Sequence, residues 1–151
     1  MVFPRDGGMP FMWDYQIKGY FKDAAMALIE SDSSCISTGE DQKRVKMTPY
    51  TFRRTIDNQI FISPRKVMFE LPAGGEVGLC QRPLRGITPR GERIALVCSE
   101  TVPAGTACRF TVLILNSRLE EFVLEALKFG ALKGTGGWRN SGKGRFDAKV
   151  G

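Results

Sequence analysis

Ser117-Arg-Leu-Glu-Glu-Phe-Val-Leu-Glu-Ala-Leu-Lys-Phe-Gly130 runs directly into Ala131-Leu-Lys-Gly-Thr-Gly-Gly-Trp-Arg-Asn-Ser-Gly-Lys-Gly-Arg-Phe146. The first half reads as a helix. Ser117 and Glu120 have the spacing of a capping box, in which each side chain satisfies an N–H at the helix start. Leu119, Phe122, Val123, Ala126 and Leu127 then recur at three and four, which builds one apolar face. Gly130 is expected to end the helix as a left-handed cap. The second half has no period. Residues 130–146 hold six glycines, four cations and one Trp, the composition of a loop that bends sharply and attracts negative charge.

Upstream, Ile17, Phe21, Ala24, Ala25, Leu28 and Ile29 form a second helical stripe from Asp14 onward, with Gly19 inside it. Residues 1–13 read as irregular. Residues 31–47 are polar and expected to be a flexible surface loop. Thr48-Pro49 is a helix start, Thr as cap and Pro at the first helical position, for a short helix through Ile56. Ile60–Ile62, Lys66–Leu71, Ile94–Cys98 and Cys108–Leu115 read as strands. Pro72-Ala-Gly-Gly75 and Pro103-Ala-Gly105 read as turns. Residues 76–93 form a basic, loop-rich hairpin or excursion carrying Arg82, Arg85, Arg90 and Arg93. Arg145–Val150 is expected as a final strand.

Helix, short helix, strands, helix and strand in that order give an α+β fold with a mostly antiparallel sheet. The expected arrangement is ferredoxin-like: a single domain over 1–151, two main helices, a C-terminal glycine-rich loop and a last strand. Such a fold has a strand before its first helix. Either Phe11–Trp13 is that strand, or the natural protein starts before Met1.

Charge and absent residue types narrow the chemistry. Twenty-two Lys and Arg against sixteen Asp and Glu give +6, which favours phosphate backbones or other acidic partners. The chain has no histidine. That removes the usual proton shuttle at neutral pH, the Ser-His and Cys-His nucleophile pairs, and the commonest transition-metal ligand. Its four cysteines never form a close pair, so neither a zinc knuckle nor a dithiol motif is present. Cys98 and Cys108 lie in apolar strand-like runs and are expected to be small buried thiols. No metal, cofactor or catalytic residue is assigned. No segment approaches the ~20 apolar residues of a membrane span, and the N-terminus does not resemble a secretory signal. The expected location is the cytoplasm of a bacterial host cell, with reduced cysteines and no membrane partner.

Two segments resemble the RAMP superfamily of CRISPR-associated RNA-binding and RNA-processing proteins. Asp6-Gly-Gly-Met-Pro-Phe-Met-Trp-Asp-Tyr-Gln-Ile-Lys-Gly-Tyr-Phe-Lys-Asp-Ala-Ala25 is similar to the RAMP segment in which a Gly-Pro-aromatic turn leads into Leu-Lys-Gly and a helix. Gly134-Thr-Gly-Gly-Trp-Arg-Asn-Ser-Gly-Lys-Gly-Arg145 is similar to the glycine-rich loop near a RAMP C-terminus. The whole chain is also similar to small proteins carried by bacteriophages and prophages. The resemblance implies a ferredoxin-like core that binds single-stranded RNA. It assigns nucleic-acid contacts to Lys18, Gly19, Gly134, Gly136, Arg139, Gly142, Lys143, Gly144 and Arg145.

The residues themselves add to that set. Loop glycines expose N–H groups to phosphate oxygens, and Arg grips phosphate with two parallel bonds. Trp138 offers a face for an unpaired base. Arg82 and Arg85, on the basic excursion, form a second candidate surface. The loop is not a nucleotide-hydrolase phosphate loop, because Gly142-Lys143 is followed by Gly144 rather than Ser or Thr. The leading expectation is therefore a non-catalytic binder of single-stranded RNA or DNA. The first alternative is an interaction module that self-associates into a homo-oligomer or docks on a host or phage protein complex, such as a CRISPR effector. The second is a metal-independent endoribonuclease using Tyr15, Tyr20 or Lys18 as base.

Overall fold

The computed structural model describes residues 1–31, 48 and 50–151. Its strands and helices, in chain order, are β1 (Arg5–Asp6), β2 (Met9–Trp13), α1 (Asp14–Glu30), α2 (Phe52–Gln59), β3 (Ile60–Ser63), β4 (Lys66–Glu70), β5 (Gly78–Thr88), β6 (Gly91–Thr101), β7 (Ala107–Cys108), β8 (Thr111–Ile114) and α3 (Glu120–Lys133). The protein is thus mixed α+β, with antiparallel strand pairing and three α-helices among the described residues. The polar segment expected as a surface loop lies, beyond Ser31, outside the described residues, as does Pro49. The chain forms two compact units. One is Met1–Met12 with Lys66–Arg109, and the other is Trp13–Arg65 with Phe110–Gly151.

The helical unit is built on the two stripes read from the sequence. Ile17, Phe21, Ala24, Ala25 and Leu28 of α1 are buried, joined by Tyr20. From α3 and the turn before it come Leu119, Phe122, Val123 and Ala126, while Phe52, Ile56 and Ile60 complete the core. The Phe21 and Phe122 rings meet edge to face at 6.5 Å, a geometry aromatic quadrupoles favour. β3 pairs antiparallel with β8, from Ile60 opposite Ile114 to Ser63 opposite Thr111.

Several local expectations change. Residues 1–13 are not irregular throughout: Met9–Trp13 is a strand, so a strand does precede the first helix. Thr48 does not cap the helix: its Oγ1 accepts from the Thr51 N–H at 3.3 Å in the turn before it, and the N-cap position is Thr51. The helix proper starts at Phe52 and continues past Ile56 to Gln59. Before α3, the side chain that accepts a bond is Asn116, from the Arg118 N–H at 3.1 Å, at the head of a single 3-10 turn over Ser117–Leu119. That turn displaces the capping box expected from Ser117 and Glu120.

Gly130 does not end α3. Ala131, Leu132 and Lys133 are good helix formers, and the helix runs through them to Gly134, which takes the positive φ of 72° and donates its N–H to the Gly130 carbonyl. Gly130 is a buried interior position instead. A Cβ there would enter the Phe146 ring, so the missing side chain makes room for that ring. The expected final strand is likewise absent. Residues 145–151 have no regular secondary structure. Phe146 anchors this segment by donating its N–H to the Gly130 carbonyl at 3.2 Å and packing edge to face on Tyr20 at 5.1 Å.

The strand unit contains one sheet in the order β1-β2-β4-β7 and a separate two-stranded ribbon, β5-β6. Phe11, Val67 and Phe69 are its buried apolar residues. The run Cys108–Leu115, expected as one strand, is split into β7 and β8, which join different sheets. The basic excursion is not loop-rich. It lies within a regular hairpin of two eleven-residue strands, in register from Gly78 opposite Thr101 to Thr88 opposite Gly91. Pro83, which has no N–H to give a second neighbour, is tolerated because β5 pairs only with β6 among the described residues.

The buried-thiol expectation also fails at Cys98. The β6 register turns Cys98 to an exposed side of the ribbon, opposite Gln81. Cys108 is half-buried, and that burial, with the charge of Glu70, pushes its thiol pKa up. At the base of β6, Glu100 accepts from the Arg5 guanidinium at 2.7 Å and the Phe3 N–H at 2.8 Å. These bonds hold its carboxyl below the usual carboxylate range.

Candidate nucleic-acid interface

The glycine-rich segment is closed at its base. The Thr135 N–H donates to the Gly144 carbonyl at 2.9 Å, just inside the Phe146–Gly130 bond. Two backbone bonds therefore clamp the two ends of the loop together over the C-terminus of α3. Glycine is required at this clamp. A Cβ on Gly144 would strike the Thr135 carbonyl oxygen, and one on Gly134 would lie 2.7 Å from the Gly144 carbonyl carbon. Both also have positive φ, 75° and 72°, a region L side chains rarely enter.

Within the loop, Arg139–Ser141 forms a 3-10 turn. Trp138, which precedes it, has φ 58°, the only positive φ at a non-glycine among the described residues. A left-handed backbone costs an ordinary residue ~1–2 kcal/mol, so the loop holds the indole against a local penalty. Trp138 is half-exposed, and the Lys143 ammonium stands 5.7 Å from its ring centroid. That pairing favours a cation over the ring face and keeps the two side chains together.

The cations around the loop differ in how they are held. Arg139 forms a 2.7 Å ion pair with Asp23 of α1, which fastens the loop to that helix. Lys143 and Arg145 are exposed, and neither occurs in an ion pair among the described residues. Gly142 lies beside the Arg145 guanidinium, which a Cβ would meet at 3.8 Å. Gly136 faces open space. Gly134, Gly136, Trp138, Arg139, Gly142, Lys143, Gly144 and Arg145 thus share one short, clamped surface segment.

Lys18 and Gly19 stand apart from that segment on α1. Lys18 donates to the Asp57 carbonyl at 2.8 Å and its ammonium sits 4.5 Å above the Phe61 ring, so it ties α1 to α2 and β3. Lys22 adds a 2.7 Å ion pair to the Asp57 carboxylate. A Cβ at Gly19 would meet nothing within 4 Å; Gly19 fills no close approach. Arg82 and Arg85 belong to the strand unit, on opposite sides of the ribbon, paired in register with Val97 and Ile94.

The sequence reading missed the residues that fix the loop: Asp23, Tyr20 and Phe146. Asp23 lies off the apolar stripe of α1 and reads as an ordinary solvated carboxylate. Tyr20 gives a weak signal, as an aromatic next to the stripe. It is buried, donates its hydroxyl to the Ala126 carbonyl, and has its pKa pushed up by burial to about 12. Its phenol is therefore a poor proton acceptor at neutral pH, and Lys18 is already bonded, which leaves exposed Tyr15 of the three bases considered.

A cleft of about 380 Å³ in the helical unit is lined by Thr51, Arg54, Thr55, Asn58, Gln59 and Asn116, with one cation and no carboxylate. Among the described residues no group of three or more His, Cys, Asp or Glu side chains is placed to hold a metal ion. No described helix is long and apolar enough to cross a membrane. No protein-family model, no curated protein and no solved structure matches the chain.

Proposed function

We propose that the protein is a RAMP-like, non-catalytic binder of single-stranded nucleic acid, RNA in preference to DNA, acting through the glycine-rich loop. The observation that carries this reading is the set of loop side chains. A half-exposed indole is fixed in a strained backbone with Lys143 over its face, on a loop whose ends are clamped and which also carries the exposed Arg145. Clamping the loop in advance lowers the ordering cost of binding. An aromatic face accepts any unpaired base, and neighbouring cations follow the backbone. The arrangement suits a flexible strand better than a duplex, for which no helix with base-reading side chains is apparent among the described residues.

The finer fold reading belongs with this proposal. It is supported by the helical unit alone, where α1 and α3 pack with the antiparallel pair β3-β8. A cytoplasmic site of action in a bacterial host fits the same reading. Arg82 and Arg93, which share one side of the β5-β6 ribbon, are a second, separate candidate contact surface for nucleic acid. A protein-docking reading is favoured by a different observation, the exposed apolar side of that ribbon.

The test is fluorescence anisotropy with a labelled twelve-nucleotide single-stranded RNA and its DNA counterpart. Trp138→Ala is expected to weaken binding by ~1–3 kcal/mol, the value of one stacked base. Equal affinity of the wild type and the variant would overturn the assignment of the loop.

A further inference from the structure

The β5-β6 ribbon separates its residues by side. Directly opposed residues share a side, and the side alternates along each strand. One side carries Arg82 and Arg93 with no acidic residue, beside Leu84, Ala95 and Val97, from the pairs Arg82–Val97, Leu84–Ala95 and Gly86–Arg93. The other carries Leu79, Pro83, Ile87, Ile94, Leu96 and Cys98, with Gln81, Arg85, Glu92 and Glu100 along its edges. The aliphatic members of that second side are open to solvent: Leu79 at 74%, Ile87 at 94%, Ile94 at 63% and Leu96 at 65%. Single exposed apolar residues need no explanation, but a continuous stripe along one face marks an interaction surface.

Charge decides what fits it. The stripe side has Arg85 and Glu92, which cancel, and Glu100, already bonded to Arg5. A nucleic-acid strand would choose the other side or the turn with Arg90. A strongly acidic or basic partner gains nothing from a neutral stripe. The stripe does complement itself. With a two-fold axis along the ribbon, two copies stack face to face so that Leu96 of one lies over Pro83 of the other. The same operation places Arg85 one residue pair from Glu92 of the second copy. Stacked sheets of this kind pack ~10 Å apart.

The area is sufficient for a reversible pair. Eleven residues at ~3.3 Å each make a face ~36 Å long and, for two strands, ~10 Å wide. Allowing for side-chain relief, two such faces bury roughly 1,000 Å² in total, at the lower edge of specific interfaces. We infer that the apolar side of the β5-β6 ribbon is a homodimer surface, seating the same side of a second copy of this chain. The dimer is isologous, and forms and dissociates with concentration. It leaves the basic side of the ribbon uncovered.

The test is sedimentation equilibrium on the full, nuclease-treated chain from 1 to 100 µM, together with the alkylation rate of Cys98 read by peptide mass mapping. The average mass is expected to rise towards twice the monomer value. Cys98, which lies within the stripe, is expected to react several-fold more slowly at the high end of the range. Leu96→Lys and Ile94→Lys change exposed side chains and are expected to retain the wild-type circular dichroism. Each should weaken association at least tenfold and restore fast Cys98 alkylation. A chain that stays monomeric to 100 µM overturns the inference, whether Cys98 reacts fast or is slow at every concentration because its own chain covers it. A dimer indifferent to Leu96→Lys overturns it as well.

Discussion

Replacing Gly130 with Ala sets two known effects against each other. In a helix interior, Ala is favoured over Gly by ~1 kcal/mol, so at an open site the change would stabilise. At Gly130 the new Cβ would lie 2.6 Å from Cε1 of Phe146 and closer to the rest of the ring edge. The ring cannot move aside without giving up its packing on Tyr20 at 5.1 Å. Ejecting a half-buried Phe forfeits ~1 kcal/mol of its burial. Losing the edge-to-face pair removes another ~0.5–1.5 kcal/mol. Steric loss therefore exceeds the helix gain, and Gly130→Ala is expected to destabilise by ~1 kcal/mol, lowering Tm by ~2–4 °C. With Phe146 already replaced by Ala, only the helix gain remains, and the same Gly130→Ala change should stabilise by up to ~1 kcal/mol. The expected coupling is ~2 kcal/mol, within the range seen for residues in contact. Urea denaturation of the four proteins, followed by circular dichroism, measures it. The reasoning fails if Gly130→Ala stabilises the wild-type protein, or if its effect is the same in both backgrounds.

Three further outcomes follow from the site. Trp138→Ala and Trp138→Gly remove the same indole but differ in backbone tolerance, so the Gly variant should be more stable by ~1 kcal/mol in thermal or urea unfolding, with equally weak RNA binding. Tyr20 titrates near 10 when unfolded and at about 12 when folded. Its contribution is whole below pH 10 and is lost as pH rises towards 12, because the unfolded chain releases the proton first. Tyr20→Phe should flatten that alkaline decline in a pH series of denaturation curves. Asp23→Asn breaks a surface ion pair worth ~0–1 kcal/mol, yet frees Arg139. The variant should unfold almost like the wild type and bind single-stranded RNA more tightly at low salt, a gain that disappears at high salt.

The parts of the fold that follow from side-chain period were legible. Ile17, Phe21, Ala24, Ala25 and Leu28, and Leu119, Phe122, Val123 and Ala126, are buried on α1 and α3 as their spacing requires. What could not be read depends on contacts distant in sequence. Gly130 has the look of a cap, but its role is set by an aromatic ring sixteen positions later. Residues 145–150 have some strand character, but their anchor is that ring and one backbone bond rather than a ladder. Pro83 and Gly86 look like loop punctuation, but a ribbon strand with a single neighbour accommodates both. At the candidate site, the glycines and cations were visible in the sequence. The division of the cations was not, because Asp23 lies more than a hundred residues from Arg139 and Asp57 nearly forty from Lys18.

The most direct measurement is the salt dependence of RNA affinity. Each phosphate contact on a single strand adds ~0.7 to the slope of log affinity against log salt. Labelled single-stranded RNA titrated with the wild type and with the Lys143→Ala/Arg145→Ala double variant, between 50 and 300 mM salt (roughly the span over which such contacts are resolved), reads that slope. The clamped glycine loop predicts clear binding by the wild type and a slope shallower by ~1.4 in the variant. Equal slopes, or a wild type that does not bind at the lowest salt, contradict it.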